Sequence, residues 1–90
     1  MIDGVIFTPL PIIDTDGGDV LHVMKANDPC FSSFGEAYFS NVEPNAIKGW
    51  KLHREMVLNL VVPVGAVKFV ILDDRTDSKT EGNFVKLVLS

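Results

Sequence analysis

Apolar residues recur along this chain in short β-branched runs, not at helical spacing. "GVIFTPL" (4–10) opens the series, and Pro11 with the Gly17-Gly18 pair breaks it with a turn signal. "DVLHVMK" (19–25) alternates and places His22 on one face of a half-buried strand. "ANDPCFSSFG" (26–35) shows no period, and Asn27, Asp28 and Pro29 favour a turn. "EAYFSNV" (36–42) and "AIKGWKLH" (46–53) read as strands on either side of the turn "EPN" (43–45). Gly49 in the second is a bulge or a point of close backbone approach. "MVLNLVVPVG" (56–65) is almost continuously apolar, as a strand buried on both faces would be. "AVKFVILDD" (66–74) and "NFVKLVLS" (83–90) follow, joined by the polar loop "RTDSKTEG" (75–82). The one helix candidate, "REMVLNLV", fits a strand better.

Six to eight short strands with turns at regular spacing predict an all-β fold, an antiparallel barrel or sandwich forming a single domain over 1–90. The last strand alternates and has no polar tail. Such a strand needs a neighbour on each side or it becomes an aggregation edge, so another subunit is expected to cover it.

Composition sharpens that expectation. A chain of 90 residues buries only roughly 60% of the surface its unfolded form exposes, so its core is marginal. Small domains draw on a disulfide, a metal or a partner, and the single Cys30 rules out a disulfide within the chain. Of the other two, oligomerisation is the expectation, and a homo-oligomer the form. The net charge of −4 without basic clusters argues against nucleic acid, whose phosphates need grouped Lys and Arg. The start "MIDGVIF" has an acid where a secretory leader has bases. The longest apolar runs are broken by Asn59, Pro63, Gly65 and Lys68 before they reach a membrane span. The cytoplasm is the expected location.

Candidate chemistry is sparse. His22 and His53 are far apart and Cys30 is alone, so no metal site is expected. Cys30 has no nucleophile signature, and a lone cysteine is usually a small buried hydrophobe. "TDGGDV" has two glycines but reads as a turn, not a phosphate loop. What is left is acid–base chemistry on 46–53. In an extended strand Lys51 and His53 share one face, and Lys48, Trp50 and Leu52 the other until Gly49 disturbs the alternation. Inside a barrel, Lys51 and His53 would make a polar pocket for an anionic ligand. His53 could exchange a proton near neutral pH, and Lys51 could steady an enolate or a phosphate. The competing reading puts them in water on an edge strand, with Trp50 in the core.

Three stretches carry a family resemblance. "DTDGGDVLHVMK" is similar to a segment written D-x-R-G, and "AIKGWKLH" to the strand G-[VI]-[LI]-[RK]-G-x-H. "VGAVKFVILDDRTDSKTEG", the most specific, is similar to G-x-[VI]-x-D-V-x-x-D-x-R-x-x-S-P-T-x-G. With these, the chain resembles the dTDP-4-dehydrorhamnose 3,5-epimerase family of cupins over nearly its whole length. The resemblance implies a cupin-like jelly-roll barrel, a dimer that exchanges N-terminal strands, and a nucleotide sugar bound inside without a cofactor. It also implies a histidine base, a tyrosine acid, a lysine beside the enolate and arginines on the diphosphate.

Matched position by position, the histidine falls on Lys51 and the strand-opening lysine near Leu58. The arginine of D-x-R-G falls on Gly17, and Lys48 stands in the arginine position of the second motif. The tyrosine and its acidic partner belong to a C-terminal half outside these residues. The expectation is a shortened, non-catalytic relative whose barrel is completed by oligomerisation, with Lys48, Lys51, His53 and Trp50 as its ligand-binding residues. An active epimerase or isomerase using His53 as its catalytic base is the alternative, and a protein–protein interaction module the second.

Overall fold

The computed structural model describes all 90 residues and contains no helix. Two antiparallel hairpins account for its regular structure: β1 (Ile12–Ile13) with β2 (Val20–Leu21), and β3 (Val67–Leu72) with β4 (Phe84–Leu89). The chain is therefore all-β, as its pattern predicts.

The first hairpin is short because its flanks cannot extend it. Pro11 has no N–H to donate to a ladder on one side of β1. On the other, the turn through Thr15 and Gly18 closes with Gly18 N–H donating to the Thr15 carbonyl at 3.2 Å. The register is Ile12 opposite Leu21 and Ile13 opposite Val20. Pairing thus reaches only part of 19–25, and the strand expected over 4–10 is replaced by the pair at Ile12–Ile13.

The second hairpin shows why alternation matters. Val67 faces Leu89, Phe69 faces Leu87 and Ile71 faces Val85, so six apolar side chains form one half-buried row. The opposite row holds Lys68, Val70, Leu72, Phe84, Lys86 and Val88, all exposed. The ladder runs one step past Leu72, because Asp73 N–H donates to the Asn83 carbonyl at 2.9 Å and Gly82 N–H to the Asp73 carbonyl at 2.8 Å.

The N-terminal residues pack beside this hairpin. Met1, Ile2, Val5 and Phe7 face Val85 and Leu87 across an apolar cleft of about 400 Å³. Ile2, 4% exposed, is the one buried hydrophobic residue of the molecule.

Residues 36–42, 46–53 and 56–65, each expected as a strand, form none. A strand exists only where a neighbour supplies ladder hydrogen bonds, and within one chain these runs have no such neighbour. They form a long unpaired arm. The two sheets stay separate, and no barrel closes within the chain.

Candidate functional site

The most connected polar group in the molecule is Asp73. It continues the inner row of β3 after Val67, Phe69 and Ile71, so strand alternation turns a carboxylate toward the apolar side. A buried carboxylate must be hydrogen-bonded to be tolerated. Asp73 Oδ1 accepts from Arg75 N–H at 3.1 Å and from Arg75 Nε at 2.8 Å. Its Oδ2 accepts from the second guanidinium nitrogen at 2.9 Å, from Ser78 Oγ at 2.7 Å and from Thr80 Oγ1 at 2.6 Å. The fork of Arg75 meets the carboxylate in two parallel bonds, the geometry that makes such pairs strong.

These donors hold Asp73 far below the ordinary carboxylate range, Arg75 contributing most, then Thr80 and Ser78, against the opposing effect of burial. The bond to Asp73 raises Arg75 in turn. A group so committed keeps its charge at every physiological pH and has no proton to exchange.

The same cluster fastens the N-terminus. Asp3 N–H donates to Thr80 Oγ1 at 2.9 Å, the Asp3 carbonyl accepts from Arg75 at 2.7 Å, and the Met1 carbonyl accepts from Asn83 Nδ2 at 3.3 Å. Asp73, Arg75, Ser78 and Thr80 are thus a clasp between the β3–β4 loop and the N-terminal segment. From sequence this stretch is a surface loop and part of the most specific family-like motif, with no role assigned to its side chains. The signal available was the spacing of one acid, one arginine and two hydroxyls over 73–80.

The residues singled out from sequence lie elsewhere. Lys48, Trp50, Lys51 and His53 sit together on the unpaired arm, all exposed, with Trp50 at 73%. Lys48 Nζ folds back to donate to Ser40 Oγ at 2.7 Å and to the Asn41 carbonyl at 2.9 Å. The turn between them closes with Ala46 N–H on the Glu43 carbonyl at 3.0 Å, and Asn45 takes the positive φ that asparagine tolerates. Within one chain nothing encloses these four side chains into a pocket.

A second cleft, about 380 Å³, lies between residues 6–13 and 22–30 and is lined in part by His22, Lys25, Asp28 and Cys30. Its size falls within the range of small-molecule sites. The Asp28 Oδ2 accepts from the Lys25 N–H at 2.7 Å, and Thr8, His22 and the Lys25 side chain are further polar groups of its lining. Sequence alternation placed His22 on a strand face and could not show what it would meet. No three His, Cys, Asp or Glu side chains converge as metal ligands, and no helix is long and apolar enough to cross a membrane.

Against known proteins, the chain is similar to the spore coat polysaccharide biosynthesis protein SpsL of Bacillus subtilis (strain 168). The two are 32% identical over 82 residues, covering 91% of this chain and 54% of SpsL. The chain therefore spans about half the length of that curated relative. No family model matches the chain, and no solved structure matches it.

Proposed function

We propose that this chain is a cupin-like module of sugar metabolism, a shortened jelly-roll barrel completed by oligomerisation, that binds a sugar or nucleotide sugar without turning it over. The observation that carries this reading is the similarity to a polysaccharide biosynthesis protein along 91% of the chain. It agrees with the family resemblance, reached independently from "DTDGGDV", "AIKGWKLH" and "DDRTDSKTEG".

The ligand-binding groups are Lys48, Lys51 and His53, with Trp50 beside them, on one stretch of the arm. Two ammonium groups and an imidazole suit a diphosphate, and an indole ring suits a sugar or base face. They become a pocket when the arm is laid against another surface. Lys51 stands where the resembled family has its histidine base, and a lysine there offers donors to anionic oxygens in place of that base. That substitution supports binding over turnover.

A thermal melt with and without excess dTDP tests this. A ligand at about a hundred times its dissociation constant adds roughly 2.7 kcal/mol, which for so small a domain raises the midpoint by ~10 °C or more. That shift is expected for the native chain and should shrink in Lys48→Ala/Lys51→Ala. No shift at saturating dTDP would sink the nucleotide-sugar reading. Solvent exchange of sugar protons that depends on His53 would replace the binding module with an epimerase.

A further inference from the structure

Of the six lysines in the chain, Lys48 is the one whose ammonium group is hydrogen-bonded. Its Nζ donates to Ser40 Oγ at 2.7 Å and to the Asn41 carbonyl at 2.9 Å. The reversal that makes this possible is the Glu43–Ala46 turn, closed at 3.0 Å with Asn45 at φ 65°. It doubles the chain back so that residues 40–41 lie beside residue 48. The acceptors are only 8 and 7 positions away, so the arrangement belongs to one short stretch of chain.

The partners tell as much as the distances. Neither is an acid: a hydroxyl and a carbonyl fix the ammonium with neutral dipoles and leave its positive charge unspent. Glu43 lies within the same turn, yet the one ion pair of the molecule joins Arg75 to Asp73. A lysine ammonium has three N–H donors, and these two bonds leave one. Lysine is ordinarily a mobile point charge on a flexible stem. Lys51, on the same stretch, has neither a tether nor an ion pair. Of the two, Lys48 alone is held.

We infer that Ser40 is a positioning residue for anion binding: with the Asn41 carbonyl, it aims the remaining N–H of Lys48 at a phosphoryl oxygen. The inference rests on the proposed role of Lys48 as a ligand-binding group and adds how that group is held. An ammonium ordered before the ligand arrives removes an entropic cost that binding would otherwise carry. Lys48 thereby fixes where one phosphoryl group sits, and the untethered Lys51 adapts to it. Ser40 acts through Lys48, not through a ligand contact of its own.

The test is a double-mutant cycle on the 90-residue chain, read by calorimetric titration with inorganic pyrophosphate and with dTDP. Ser40 is exposed, so replacing it removes no packed side chain. Ser40→Ala should weaken pyrophosphate binding roughly tenfold, although every charge remains. Ser40→Thr, which keeps the hydroxyl, should restore native affinity. In a Lys48→Ala background, Ser40→Ala should weaken binding no further, because the group it positions is gone. The second readout is the 1H–15N signal of the Lys48 ammonium, whose proton exchange the tether slows. That signal should persist in Ser40→Thr and vanish in Ser40→Ala. Native affinity in Ser40→Ala, no rescue by threonine, an effect undiminished without Lys48, or an ammonium signal indifferent to Ser40 would each overturn the inference. So would a native chain that binds neither anion. A chain that binds pyrophosphate with this coupling but ignores dTDP keeps the inference and loses the nucleotide sugar.

Discussion

Asp73 concentrates in one residue the difference between a motif and a site. Its carboxylate accepts from three donors of Arg75 and from two hydroxyls, and its side chain is wholly inaccessible. An unfolded chain protonates such a group near its ordinary value of 3.8, whereas the folded chain holds it far lower. The folded state is thus favoured above about pH 4, and that advantage is lost as the pH falls below it. Acid titration of native chain followed by circular dichroism should show a steep loss of structure there, and Asp73→Asn should flatten it. At neutral pH, Asp73→Asn should lower the melting temperature by ~10 °C or more, because a buried array of donors loses its acceptor charge. Arg75→Lys should fall between the two, since one ammonium cannot reproduce the fork. The motif was legible in sequence, but its role was not. Strand parity alone turns Asp73 inward, and parity is set by a register that no single segment encodes.

At the scale of elements, the β3–β4 hairpin was the part most plainly written in the chain. Its two strands alternate cleanly, and each finds the other within reach. The segments 36–42, 46–53 and 56–65 carry comparable patterns, yet propensity becomes a strand only where an edge is offered. "MVLNLVVPVG" in particular, apolar on both faces, asks for cover on two sides that one chain does not give. Where the hairpin turns back, Gly82 has φ +85° and open space where a side chain would go. Gly82→Ala should therefore lower stability by about 1 kcal/mol through the backbone alone, measured as a denaturant midpoint. Gly35→Ala, equally uncrowded and without a positive φ, should leave that midpoint unchanged. Lys48, Trp50, Lys51 and His53 were legible as neighbours on one segment. Their enclosure was not, since it depends on what the arm meets.

For the whole molecule, two residues out of 90 are buried, Ile2 and Asp73. A core that small offsets little of the conformational entropy of ordering these residues, and on the proposed completion of the barrel by oligomerisation folding and association are one process. The melting temperature is then expected to rise with protein concentration, as mass action requires when only the assembly is stable. A midpoint independent of concentration would show that a single chain holds itself together.

The clasp has a consequence in time. Its tether from Asp3 to Thr80 joins residues 77 positions apart. During synthesis at about 5–20 residues per second, the N-terminal segment leaves the ribosome some 4–15 s before the loop that will hold it exists. Through that interval Ile2, Val5 and Phe7 have no dock, and a nascent chain is at its most adhesive. Synthesis of Phe84–Leu89 completes the hairpin and releases the N-terminal segment from that exposure.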